Sequence, residues 1–208
     1  MSALTEALEY VGGFSRTTKM PGYSYSIPAV DCIVGSRLRL VPGSVCSECY
    51  ACKGNYTRFP AVARAMERRL ASLERPHWVP NMVTAMRKIA HFRWHDSGDL
   101  QSGRHLARIV EVCRLTSGTR HWLPTRERAF VSEWLAANVD GFPGNLVVRV
   151  SANMIDARAG RGFPNTSTVH FKSEPVGHTC PASSQSGRCG ECRACWDRSV
   201  PNVSYPKH

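Results

Sequence analysis

Residues 145–153 read NLVVRVSAN, and this stretch decides the fold. It is a short, nearly continuous apolar run rich in valine, the pattern of a strand buried on both faces in a parallel sheet. DGFPGN (140–145) is a turn leading into it. Before that turn, Phe130, Val131, Trp134 and Leu135 mark one face of a helix, and RHWLPTRE (120–127) reads as a strand. Further back, Leu106, Ile109, Val110 and Cys113 keep i, i+3, i+4, i+7 spacing, which predicts a helix with Cys113 in its apolar face. AHFRWHD (90–96) is a short strand with a polar end. Val79, Met82, Val83, Met86 and Ile89 mark another helix, as do Val62, Met66, Leu70 and Leu73 after the helix-opening Pro60. Beyond the central run, STVHFK (167–172) is the last strand expected. Strands alternating with helices define an α/β fold. Four strands are too few for an eight-stranded barrel, so the expectation is an open parallel sheet or partial barrel with irregular Cys-rich metal-binding loops at both ends.

The chain divides accordingly into an irregular N-terminal segment with a first cysteine quartet (1–59), an α/β core (60–175) and a Cys-rich C-terminal tail packing on the core (176–208). Hydrophobic content of 42% against 21% charged residues is that of a folded protein, not a disordered one. No apolar run approaches a membrane span. MSALTEALEYVGG at the N-terminus lacks the basic flank and apolar stretch of a signal peptide. The expected location is the cytoplasm, where nine cysteines read as metal ligands rather than disulfides. The formal charge is +11, with 27 Lys and Arg against 16 Asp and Glu. Codon bias explains a preference for arginine but not this excess of cations, which favours a polyanion, nucleic acid, as partner. The lack of a long apolar run is why no membrane is expected as a partner.

CSECYAC (46–52) and CGECRAC (189–195) share the frame C-x-E-C-x-A-C, and each has a further cysteine upstream, Cys32 and Cys180. Zinc usually takes two separated Cys-x-x-Cys pairs, because a tetrahedral ion needs ligands from two directions. A C-x-x-C-x-x-C run with a remote fourth thiolate suits a cubane, each sulfur meeting a different iron. The reading is therefore one or two iron–sulfur clusters, of 4Fe–4S type, on Cys32, Cys46, Cys49 and Cys52 and on Cys180, Cys189, Cys192 and Cys195. Zinc is the alternative, with His178 and His208 as further ligands at the C-terminal site.

Strand ends in parallel α/β folds gather functional residues. RWHDSGDL offers Arg93, His95, Asp96, Ser97 and Asp99; PTRE offers Thr125, Arg126 and Glu127; RVSANMID offers Arg149, Ser151, Asn153 and Asp156; the last strand offers His170 and Lys172. If the sheet is parallel these converge on one rim. Arg93, His95, Asp96, Asp99, Arg126, Ser151 and Asn153 are then the candidates for substrate binding and proton transfer, with a carboxylate orienting the imidazole.

KMPG (19–22), CSECYACKGNY (46–56), RWHDSGDL (93–100) and WLPTRE (122–127) together resemble the bacteriophage "gene product 88" family. The resemblance implies a phage protein made in the host bacterial cytoplasm. A looser likeness to radical-SAM-like phage proteins implies an iron–sulfur enzyme. Their loop is C-x-x-x-C-x-x-C, however, and this chain has C-x-x-C-x-x-C with a fourth candidate ligand. Guanine transglycosylases are similar in pairing aspartates with a small zinc site, for which Cys189, Cys192, Cys195 and His208 are the counterparts. The functional expectation is a phage metalloprotein of iron–sulfur type acting on or with nucleic acid, as a modifying enzyme. The alternative is a zinc-stapled, non-catalytic module that binds nucleic acid or a host or phage protein.

Overall fold

The run at 145–153 forms the middle strand of a seven-stranded sheet that is parallel throughout. The computed structural model describes residues 1–207. In chain order the elements are α1 (Ala3–Tyr10), β1 (Tyr23–Tyr25), α2 (Ile33–Leu38), α3 (Asn55–Arg58), α4 (Pro60–Ser72), α5 (Trp78–Met86), β2 (His91–Trp94), α6 (Gly103–Leu115), β3 (Arg120–Thr125), α7 (Arg128–Ala137), β4 (Leu146–Ser151), β5 (Thr166–His170), β6 (His178–Thr179) and β7 (Asn202–Pro206). The sheet is open, in the order β1-β2-β3-β4-β5-β7-β6. The expected α/β class, open parallel sheet and four principal strands are all present. Three further strands are not foreshadowed by periodicity: β1 has three residues, β6 has two, and β7 ends in proline. All three are defined by their neighbours' hydrogen bonds rather than by an alternating pattern. Strands from all three sequence segments share the sheet, and β7 of the tail lies inside it.

Handedness explains where everything else goes. From β1 to β5 the strands advance in one direction, and right-handed crossovers then place the long connecting helices α4–α7 on the same face. That face carries the core: Phe92 and Trp94 of β2, Leu123 of β3, and Leu146, Val148 and Val150 of β4 pack against α5, α6 and α7. In α6, Leu106, Ile109, Val110, Val112 and Cys113 are fully buried, about 1.5–3 kcal/mol for each large aliphatic. The core position expected for Cys113 is the one it occupies. The helix begins where the Ser102 hydroxyl accepts from the His105 amide (3.0 Å).

Between β6 and β7 the strand order steps backward. The same handedness rule then puts that crossover on the opposite face. Residues 180–201 accordingly cross the face without an α-helix, with only short 3-10 turns at Pro181–Ser184 and Ala194–Trp196. Trp196 packs there on Trp122, at 5.2 Å between centroids, and on Met20. The uncovered part of that face, at the carboxyl ends of the strands, is a cavity.

Candidate functional site: a basic cavity flanked by cysteines

The cavity has a volume of about 1040 Å³. Its floor is made by the carboxyl ends of β2, β3 and β4, the place where ligands bind in open parallel sheets. One wall is the N-terminal cysteine loop (Cys32, Cys46, Cys49) and another the C-terminal one (Cys180, Cys189, Cys195). Three cysteines of each quartet, more than a hundred residues apart in sequence, thus face one space, while Cys52 and Cys192 are not among its lining residues.

The N-terminal loop is held at the rim by side chains. Asp96 accepts from Tyr56 Oη at 2.7 Å and from the Ser26 hydroxyl, while Tyr50 Oη donates to the Asp96 carbonyl. Glu127 Oε1 accepts from the Val34 amide (2.8 Å), tying the turn after Cys32 to the end of β3. The Val45 amide donates to the Asn153 carbonyl (2.9 Å). Gly35 allows a close approach: a Cβ there would meet Cys32 Cβ at 2.9 Å, Cys32 Sγ at 3.5 Å and Cys46 Sγ at 3.7 Å. Burial raises the Cys32, Cys46 and Cys52 thiols above the ordinary range, and Cys49 raises each further by like-charge repulsion.

The C-terminal loop is held through its backbone by one buried cation. Arg149, fully buried in β4, donates to the carbonyls of Ala194 (2.7 Å), Cys195 (3.1 Å), Asp197 (2.8 Å), Val200 (3.0 Å) and Thr166 (3.3 Å). The Trp196 indole donates to the Phe92 carbonyl (3.0 Å). Behind the loop is a separate void of about 10 Å³ lined by Cys180, Cys189, Cys192, Cys195 and His178. Cys192 Sγ lies 3.4 Å from His178 Nε2. Burial lifts the Cys195 thiol to about 11, against a hydrogen bond with Tyr205 (3.2 Å). Among the described residues, no three His, Cys, Asp or Glu side chains close into a coordination cage. His208, named above as a ligand, lies outside the described residues.

The strand-end residues separate into two groups. Arg93, His95, Asp96, Asp99, Arg126 and Ser151 line the cavity together, so the convergence expected from a parallel sheet is present. Asn153 is not among the lining residues; its carbonyl anchors the cysteine loop and its side-chain Oδ1 is buried without a partner.

The proton-transfer pairing expected of His95 with Asp96 or Asp99 does not form, because both carboxylates are occupied elsewhere. Asp99 accepts from Thr125 Oγ1 (2.6 Å) and from the amides of Leu100 and Arg126 (2.8 Å each), stapling β2 to β3. His95 is buried with a positive φ of 55°, a strained position for a non-glycine residue, and neither ring nitrogen has a partner. Burial, reinforced by the Arg93 charge, pulls its pKa to about 3, so the ring is neutral near pH 7. The Ser151 hydroxyl bonds that of Ser167 (3.0 Å).

Three residues grouped with the rim by their position at strand ends have other work. Arg149 anchors the tail, and His170 bonds Ser204 (2.8 Å). The Asp156 carboxylate accepts from the amides of Phe171, Lys172 and Ser173, which hold it well below the usual carboxylate range. Sequence reasoning missed Tyr50, Tyr56 and Arg39, all in the cavity wall. Their signal was present in the aromatic and basic residues interleaved with the cysteines.

An open parallel α/β sheet carrying a basic, cysteine-flanked cavity at its strand ends defines the class of this protein. Its sequence matches the family model of Gene product 88 over residues 2–198. The chain belongs to that family, the phage family its motifs resemble. No curated protein and no solved structure matches the chain. Among the described residues, no helix is long and apolar enough to cross a membrane.

Proposed function

We propose that this chain is a cysteine-ligated metalloprotein of iron–sulfur type that acts on nucleic acid in the host cytoplasm. The observation that carries the reading is the convergence of three cysteines from each quartet on one cavity whose floor holds arginines and a buried, unpartnered histidine. The donor types suit such a metal, although the thiols are not drawn together into a cage among the described residues. Crowded thiols that oppose one another's ionisation gain most from a shared cation, and soft thiolates select iron–sulfur clusters or zinc. Cys32, Cys46, Cys49 and Cys52 would hold a cluster beside the cavity, supplying redox chemistry next to the bound substrate. Arg93 and Arg126 would hold substrate phosphate, and His95, kept neutral near pH 7 by burial and by Arg93, would accept a hydrogen bond from the substrate or donate one to it.

A second reading has its own support at the other quartet. The void behind Cys180, Cys189, Cys192 and Cys195 has room for about one ion and not for a cubane. Zinc there, with His178 as an alternative ligand, is the stapling role.

Metal and sulfide analysis of protein purified without oxygen tests both readings. About four irons with matching sulfide and one zinc per chain is the expected result. Two zincs and no sulfide would remove the cluster and leave a zinc-stapled nucleic-acid-binding module.

A further inference from the structure

We propose that the cavity takes a single nucleotide unit, its phosphate against Arg39, Arg93 and Arg126 and its base against the ring of Tyr50. This deepens the nucleic-acid reading above and rests on it for the identity of the polymer, though not for the pocket itself.

The arginines supply the first argument. All three line the cavity, each has a buried Nε with no hydrogen-bond partner, and none is ion-paired among the described residues. One Nη of Arg39 does donate to the Ala29 carbonyl (3.0 Å), and one of Arg93 to Tyr50 Oη (3.5 Å). Arginine is always charged, and burying its donors without partners is costly. Guanidinium forks left open around one space therefore mark the seat of a multivalent oxyanion. Arg93 is further fixed by stacking on Trp122, 4.5 Å from the ring centroid. Among the described residues the Arg126 side chain makes no hydrogen bond.

The second argument is the aromatic wall. Tyr50 is 56% exposed although its hydroxyl is tethered to the Asp96 carbonyl, so its ring is rigid and open. Tyr56 lies 5.8 Å from it and is tethered to the Asp96 carboxylate. An exposed, pre-ordered ring beside unpaired arginines is the composition of a base-stacking site, where stacking contributes about 1–3 kcal/mol per base.

Size supplies the third. A pocket of about 1040 Å³ holds one nucleotide with room for its flanking phosphates. A duplex keeps its bases inside the stack and cannot present one to the strand ends; a single strand or an extruded nucleotide can.

The test is titration of the full chain with nucleoside monophosphates, the matching nucleosides and inorganic phosphate, followed by calorimetry. Competition against a fluorescently labelled single strand completes it. A monophosphate is expected to bind at least tenfold more tightly than either its nucleoside or phosphate alone, and to displace the strand. Arg126→Gln and Tyr50→Ala should each weaken monophosphate binding about tenfold. The Arg126→Gln protein should keep its melting temperature, which separates loss of binding from loss of fold. Equal affinity for phosphate and monophosphate would overturn the proposal, as would a bound strand or duplex that monophosphates fail to displace. Monophosphate binding without strand binding would sustain the pocket and defeat the nucleic-acid reading.

Discussion

The two cysteine loops share a sequence frame and differ in how they are held. The N-terminal loop hangs from side chains at the rim: Tyr50, Tyr56 and Ser26 on Asp96, and Val34 on Glu127. The C-terminal loop is gripped by its carbonyls, five of them on the guanidinium of Arg149 when Thr166 of β5 is counted. One loop opens onto the large cavity, whereas the other also closes round a void of about 10 Å³. Equal spacing of ligands thus does not imply equal sites. A loop held by many separable contacts adapts to what enters the cavity, while one held by a single buried cation is fixed or lost as a unit.

Arg149→Met is the sharpest way to break this contrast. It leaves several buried carbonyls without donors, and removing one partner of a buried charged network costs about 3–5 kcal/mol. Urea unfolding should show a loss of that size, and, if the quartets hold metal as proposed, the C-terminal one should give it up before the N-terminal one. A loss under about 1 kcal/mol would mean that the tail is held by something other than Arg149.

Acid offers a second separation through His121, which lies on the helix-covered face away from both loops and titrates before His95 in the cavity as pH falls. His121 is fully buried, stacked on Trp94 at 6.0 Å and bonded through Nε2 to Thr116 Oγ1 (2.9 Å). Burial lowers its pKa from 6.5 to about 4. Between those values the unfolded chain binds a proton that the folded chain does not, so stability rises with pH across the window. It is fully present above about 6.5 and falls as pH drops toward about 4, by on the order of 3 kcal/mol. The urea midpoint of His121→Phe should be correspondingly less sensitive over the same range. If the two slopes coincide, the acid sensitivity arises elsewhere.

These contrasts bear on what the sequence could disclose. Leu106, Ile109, Val110 and Cys113 announced α6, and the valines of β4 announced a doubly buried strand, because one periodicity records one buried face. The strand-end positions of Arg93, His95 and Arg126 followed from parallel topology alone. Arg149 did not: its place in an apolar strand gives no hint that its partners are carbonyls of residues 194–200. For Asp96 and Asp99, sequence shows a carboxylate at the rim but not the donors already bound to it. β7 stayed hidden since its pairing with β5 and β6 is a property of partners far along the chain.

On the N-terminal side, Gly35→Val should crowd Cys32 and Cys46, since even a Cβ there falls within 2.9 Å of the Cys32 Cβ. Overpacking of this kind costs about 1–3 kcal/mol. The expected signature is selective: metal and sulfide of the N-terminal quartet are lost while zinc at the C-terminal quartet remains. Loss of both together would show that the loops fold as one unit and would erase the contrast between them.

Tyr50→Phe has the smallest expected effect and isolates the role of the tether. The hydroxyl donates to the Asp96 carbonyl, and deleting one neutral, partly exposed hydrogen bond costs about 0.5–1.5 kcal/mol. The ring is retained, so its face is still available for stacking, but it is no longer pinned. If the tether only stabilises the loop, the melting temperature falls slightly and monophosphate affinity stays that of wild type. If it pre-orders the ring for a base, affinity drops several-fold with a more unfavourable binding entropy, because the ordering once built into the fold is now required on binding. Calorimetry on this one variant distinguishes a loop that is merely fastened to the rim from one whose fastening prepares the site.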